Sequence, residues 1–275
     1  MISYSTCFIC LLTSLPLFFD EDNDAALEAA IVGAGGAVKR NENLSYRPIT
    51  EVDLRGAVNP SPALSKLWAS QHLHSVNLGQ SKIANRDLKY LAACKAIESV
   101  YLTGCPLTHE GLLHLSKLPK LAHVSVGPNG FSDRELAVIT KLDRLISLDI
   151  ELAEKAAIDQ LPLLRQLDRL KFLRVRGSAF GDGHASIVSE LKSLEKLELS
   201  ATSVTDKGVE ELIVLPNLST LTLLNAEITD MSLVKLQECP NLQYLNLVLT
   251  KVTPAGVKTF RSDNRRISLM VFPPR

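Results

Sequence analysis

Aromatic residues make up only 5% of this 275-residue sequence, with a single Trp, so any core it builds is aliphatic. Charge is balanced: Lys+Arg and Asp+Glu each total 30, for a formal net charge of zero. That excludes the basic footprint of a nucleic-acid binder, and no like-charge run is long enough for a polyelectrolyte tail. Cysteine is sparse. Cys7, Cys10, Cys94, Cys105 and Cys239 match no zinc spacing. Five cysteines in so long a chain are also too few for a disulfide-stapled fold. No GxSxG, HExxH or GxxxxGK[ST] occurs, and "GAGGAVK" lacks the spacing of a nucleotide loop. Neither a catalytic constellation nor a cofactor is expected.

Long apolar runs are also missing, with one exception. Cys7 to Phe19 is apolar apart from Thr13, Ser14 and Pro16, too short to span a bilayer comfortably. It fits the core of an export signal, yet no Lys or Arg precedes it, and the acidic Asp20–Asp24 follows. Residues 1–24 are therefore expected to be a signal or tether, or else unstructured. The first reading implies secretion or the cell envelope, and the second the cytoplasm. A membrane would be met only through this segment.

What is present is repetition. Leu194-x-x-Leu197-x-Leu199 recurs as Leu218, Leu221, Leu223 and as Leu242, Leu245, Leu247. Backwards it recurs through Leu170, Leu145, Leu121, Ile97 and Leu73 to Ile49, Val52, Leu54. Each step is 24 residues, except one of 25 in the unit near Asp143. The second half repeats as well: "VTDKGVEEL", "ITDMSLVKL", "VTPAGVKTF", "LTHEGLLHL". The first half of each unit alternates like a strand. The second reads as a helix of about ten residues, capped by Thr205 or Thr253, with a Ser132–Glu135 capping box. A unit this small cannot bury its own apolar face, so units must stack. Strands stack about 4.8 Å apart and helices about 8–10 Å. Helices on one side and strands on the other therefore force an arc.

This pattern resembles the leucine-rich repeat family over about residues 48–271. The Thr-Asp-x-Gly-Val/Leu half looks like 24-residue bacterial leucine-rich repeats. It is also similar to the cysteine-containing repeats attached to eukaryotic F-box adaptors. The family's Asn/Cys position holds Ser81, Cys105, Asn129, Ala153, Ser178, Thr202, Ala226 and Thr250 here. The resemblance implies an α/β fold: a leucine-rich repeat solenoid, a right-handed arc with a parallel β-sheet on the concave face and short helices on the convex face. Residues 25–47 form an N-terminal cap with a helix over Ala25–Val32. Residues 48–263 hold about nine repeats, and 264–275 a C-terminal capping strand. Cys94 and Cys239 fall at core positions.

Residues between the strand leucines face the concavity. One row reads Asp53, Asn77, Tyr101, Ser125, Asp149, Arg174, Glu198, Thr222, Asn246. The row before it reads Glu51, Ser75, Ser99, His123, Ser147, Phe172, Lys196, Thr220, Tyr244. Charge concentrates around an exposed Phe172, with Glu151 and Arg176 one step further along. His123 with His72 and His74 falls short of a metal site, which needs three converging ligands and an oriented second layer. Aromatic and Arg side chains are the types enriched at binding hot spots. The candidate partner contacts are Tyr101, His123, Asp149, Phe172, Arg174, Arg176, Lys196, Glu198 and Tyr244. The alternative is that Asp149, Arg174 and Glu198 neutralise one another across the strands. The expected function is a non-catalytic, monomeric scaffold binding a protein or peptide. The alternatives are a ubiquitin-ligase substrate adaptor lacking its own F-box and a structural envelope protein.

Overall fold

The computed structural model describes residues 21–127, 133–152 and 159–272. Helix α1 (Glu21–Gly33) leads into strand β1 (Ala37–Arg40). Ten further strands follow: β2 (Ile49–Asp53), β3 (Ser75–Asn77), β4 (Ser99–Tyr101), β5 (His123–Val126), β6 (Ser147–Glu151), β7 (Phe172–Arg176), β8 (Lys196–Ser200), β9 (Thr220–Leu224), β10 (Tyr244–Val248) and β11 (Ser268–Phe272). Together they form one open sheet in sequence order. β1 pairs antiparallel with β2, and every later pair is parallel. The register keeps the leucine columns aligned, even across the 25-residue unit, where Leu148 faces Leu173. These columns are buried and form a single aliphatic core with the helix residues.

The helical side is less uniform than its sequence suggests. α2 (Ser61–Leu64) and α3 (His109–Leu112) are single turns, and α4 (Asp133–Ile139), α5 (Asp182–Val188), α6 (Asp206–Leu212) and α7 (Asp230–Leu236) have seven residues each. Among the described helices of the repeats, only α8 (Pro254–Asp263) reaches the expected ten residues. Leu67–Ala69, Asn85–Ala93, Leu113–Lys117 and Leu161–Gln166 are 3-10 turns. Thr205 and Thr253 do cap, accepting from the Lys207 and Gly256 N–H groups. Ser132 lies outside the described residues. Glu135 instead reaches back one unit and accepts from the His109 N–H at 2.8 Å.

The Asp that opens each of α5, α6 and α7 joins units. Asp182 accepts from the Thr205 N–H and hydroxyl at 2.8 and 2.7 Å. Asp206 does the same for Thr229, at 2.9 and 2.7 Å, and Asp230 for Thr253, at 2.8 and 2.7 Å. The Asp thus satisfies a donor at the start of the next helix that its own turn leaves open. Asn217 and Asn241 make a second inter-unit link, donating to the Lys192 and Pro216 carbonyls.

The backbone after each regular strand enters the left-handed region. Gly56, Gly104 and Gly177 supply it without strain, while Gln80, Ala201, Asn225 and Leu249 adopt it at φ 60°, 50°, 52° and 55°. In the small polar row, Cys105 donates its thiol to the Leu78 carbonyl, bridging units. Thr202, at the same position, has its hydroxyl buried without a hydrogen bond. Asn129 and Ala153 lie outside the described residues. The helix of the N-terminal cap starts earlier than expected, at Glu21. Asp24 accepts from the Ile49 N–H and pairs with Arg40, tying α1 to the first parallel strand.

Candidate functional site

The outward face of the sheet is set by strand alternation, since successive side chains point to opposite sides. Each candidate residue falls there. Tyr101 and Tyr244 stand exposed, at 40% and 54%, and Lys196 is exposed beside Phe172. His123 is half-buried between Ser99 and Ser147. In strand register, Asp149 faces Arg174, which faces Glu198, while Glu151 faces Arg176.

These neighbours form one cluster. The Arg174 Nε donates to Glu198 Oε2 at 2.6 Å, and its Nη1 donates to Asp149 Oδ2 at 3.4 Å. Partial burial pushes the Arg174 guanidinium down, but Glu198 and Asp149 more than offset this and hold its pKa above the usual value. Its guanidinium carbon lies 5.5 Å from the centre of the Phe172 ring, within cation–π range. Phe172, expected to be exposed, is half-buried. Arg176 Nη2 lies 3.2 Å from Asp149 Oδ1 and 3.3 Å from Glu151 Oε2. Asp149 Oδ1 and Arg176 Nε make no hydrogen bond, so charge alone holds that contact.

Asp149, Phe172, Arg174, Arg176 and Glu198 therefore meet, with Lys196 in register beside Phe172. Tyr101 stands two strands from Asp149, about 10 Å, and Tyr244 three strands from Phe172, about 14 Å. Neither tyrosine joins the cluster.

One feature escaped the sequence reading. The third outward row runs from Glu151 and Arg176 through Ser200, Leu224 and Val248 to Phe272. Following it would have shown the sheet turning from charged to apolar along its length. The outward positions of β9–β11 are Thr220, Thr222, Leu224, Tyr244, Asn246, Val248, Ser268, Met270 and Phe272, with no charge among them. The cysteines, by contrast, behave as packing groups. Burial pushes the Cys94 thiol up to about 11, and it donates to the Leu67 carbonyl. Among the described residues no group of His, Cys, Asp and Glu is placed to hold a metal. Nor is any described helix long and apolar enough to cross a membrane.

The Leucine Rich repeat family model matches residues 238–260, which include β10 and the start of α8. Two solved structures share the architecture. One is an internalin (inlF) from Listeria monocytogenes, at a TM-score of 0.53 and 17% identity over 81% of this chain. The fold is a leucine-rich repeat solenoid. The other is an internalin C2 (inlC2) from the same organism, at 0.53 and 18% identity over 84% of this chain. The solenoid spans 59% of the first of these chains and 93% of the second. No curated protein matches it in sequence.

Proposed function

We propose that this solenoid is a non-catalytic scaffold that binds a protein or peptide on the outward face of its sheet, centred on Phe172 and Arg174. One observation carries the reading. The Arg174 guanidinium is already held over the Phe172 ring and pinned between Asp149 and Glu198. Ordering a rotamer-rich side chain on binding costs about 0.5–1.5 kcal/mol, and here that ordering precedes the partner. The cluster combines the residue types enriched at hot spots with the exposed Lys196 beside it, and the exposed Tyr101 and Tyr244 stand farther out on the same face. Lys196, Arg174 and Arg176 balance Asp149, Glu151 and Glu198, so the patch selects by the pattern of charge and not by its sum.

The test is affinity capture from native cells with the tagged parent and a Phe172→Ala, Arg174→Gln double variant. Glutamine avoids setting four carboxylates against one another. A partner held by the parent and lost from a variant of unchanged circular dichroism supports the reading. Equal recovery by both moves the site off this cluster.

A further inference from the structure

The last strand presents an edge of an uncommon kind. The Ser268 N–H donates to the Gln243 carbonyl at 2.7 Å, and the Phe272 carbonyl accepts from the Leu249 N–H at 3.2 Å. Met270 is in register with Asn246 between them. Ser268, Met270 and Phe272 therefore turn their backbones toward β10, and Leu269 and Val271 turn theirs outward. Of the four outward groups, the structure supplies a partner for one: the Leu269 carbonyl accepts from Arg261 Nη2 at 3.1 Å. Among the described residues, no strand covers this edge.

Proteins blunt such edges with charge, Pro or bulges. The opposite edge follows that practice: β1 is short, carries Lys39 and Arg40, and has an irregular register beside them. β11 carries no charge in Ser268–Phe272, and Met270 and Phe272 stand 52% and 53% exposed. Exposed Tyr244 on β10 and exposed Leu249 just after it extend this apolar surface.

We propose that β11 pairs with β11 of a second copy of this chain, antiparallel, about a twofold axis at Met270. The geometry is self-complementary. In an antiparallel ladder, residues of a hydrogen-bonded pair exchange both bonds. With the axis at Met270, Leu269 exchanges with Val271 of the partner subunit, and the symmetry repeats the exchange. Leu meets Val, and Met meets Met, with no charge to separate them. A closed, isologous dimer results, and no open filament. The zero net charge of the chain puts no long-range repulsion in the way. Among the described residues, Arg261 guards the edge at the Leu269 carbonyl. A carbonyl has a second lone pair, so Arg261 and the partner strand share the Leu269 oxygen or the guanidinium moves aside. The two sheets become one, and their outward apolar patches meet at the axis.

The test is the mass of the full chain by light scattering across roughly 1–100 µM, a range that brackets micromolar association. The expected mass rises with concentration from 30.1 kDa toward twice that value. Val271→Pro removes an outward N–H that the β10 ladder does not use, and Met270→Lys sets like charges together at the axis. Each is expected to leave a monomer of unchanged circular dichroism. Arg261→Ala uncovers the edge and is expected to tighten the dimer several-fold. A parent that stays monomeric at the top of the range overturns the proposal. So does a dimer that Met270→Lys leaves intact, whether or not Val271→Pro folds.

Discussion

The helical side of the solenoid is built in two ways. From α5 onward, each joint between units is an Asp that caps the next Thr, and the three joints agree within 0.1 Å. Before α5, three joints among the described residues each differ. Asn85 serves Thr108 with an amide, Glu135 reaches back to the His109 N–H, and Asp133 accepts from the Gln160 N–H. The slot two residues past the first helical position packs against each joint, regular or not. A Cβ on Gly208 or Gly256 would fall on the carboxylate of Asp182 or Asp230, and one on Gly111 would lie 2.6 Å from Asn85 Oδ1. Where the slot holds Ser232, its hydroxyl donates to Asp206. Where the preceding unit has His109 in place of Asp, the slot holds Glu135, buried and pointing back to do the same work. The joint is thus one steric and hydrogen-bonding unit shared by two repeats, and its two halves change together.

The largest expected effect breaks a regular joint outright. Asp206→Ala orphans the Thr229 N–H, the Thr229 hydroxyl and the fully buried Ser232 hydroxyl. Hydrogen bonds to a charged group contribute about 1.5–3 kcal/mol each, less than additively within one network, so a loss of about 2–4 kcal/mol is expected. Asn85→Ala, at an exposed and uncharged joint, is expected to cost about 1 kcal/mol. Urea unfolding of the two variants measures the difference. Equal losses would mean that the regular joints are no stronger than the irregular ones.

Overfilling the slot comes next. Gly208→Ala drives a methyl into Asp182 and is expected to cost about 1–3 kcal/mol. Gly183, in α5, has nothing within 4 Å of an added Cβ and no positive φ. Gly183→Ala is expected to raise stability by about 0.4–1 kcal/mol through the unfolded chain. Thermal melts showing the same sign for both would refute the steric account.

The strand register was legible because the hydrophobic columns recur at a fixed step, and a one-residue slip would turn every leucine outward. The charged cluster was legible for the same reason: register places Asp149, Arg174 and Glu198 side by side. Three things were not. The inter-unit bonds of Asp182, Asp206 and Asp230 were hidden, because each partner Thr lies 23 residues away in sequence. The short helices were overestimated, since apolar periodicity does not distinguish an α-turn from a 3-10 turn. Phe172 looked exposed, because a row of outward positions says nothing of the Arg174 side chain lying over its ring. The left-handed position after each strand was within reach, because Gly56, Gly104 and Gly177 share one phase of the repeat.

A smaller effect separates charge from shape at the joint. Burial pushes the Asp206 carboxyl up, but the hydrogen bonds from Ser232 and Thr229 more than offset this and leave its pKa below the usual value. A carboxylate whose folded pKa is depressed stabilises the fold above its unfolded pKa, about 3.9. That contribution fades as pH falls through the folded value. Asp206→Asn reproduces the amide joint of Asn85 and lacks this titration. The parent's advantage over the variant at pH 7 is expected to shrink as pH falls below about 3.9 and to vanish below the folded value. A pH-independent gap would assign the joint to geometry alone.

The smallest effect concerns the strand side at the C-terminal end, where regularity carries a cost. Leu249 sits at the left-handed position with φ 55°, with a branched, exposed side chain that gains little from the core. An L-residue there costs about 1–2 kcal/mol, and Asn tolerates the region better than Leu. Asn225 occupies the same position one unit earlier at φ 52°, so the turn accepts it. Leu249→Asn is expected to stabilise the chain by about 0.5–1 kcal/mol, read as a higher urea midpoint at unchanged slope. Ala201→Gly, at the equivalent turn two units back, is expected to gain less, because Ala brings no branched side chain to the strained backbone. Should Leu249→Asn destabilise instead, the leucine contributes packing that outweighs its backbone strain. The apolar end of the sheet would then be held by its own side chains more firmly than its exposure implies.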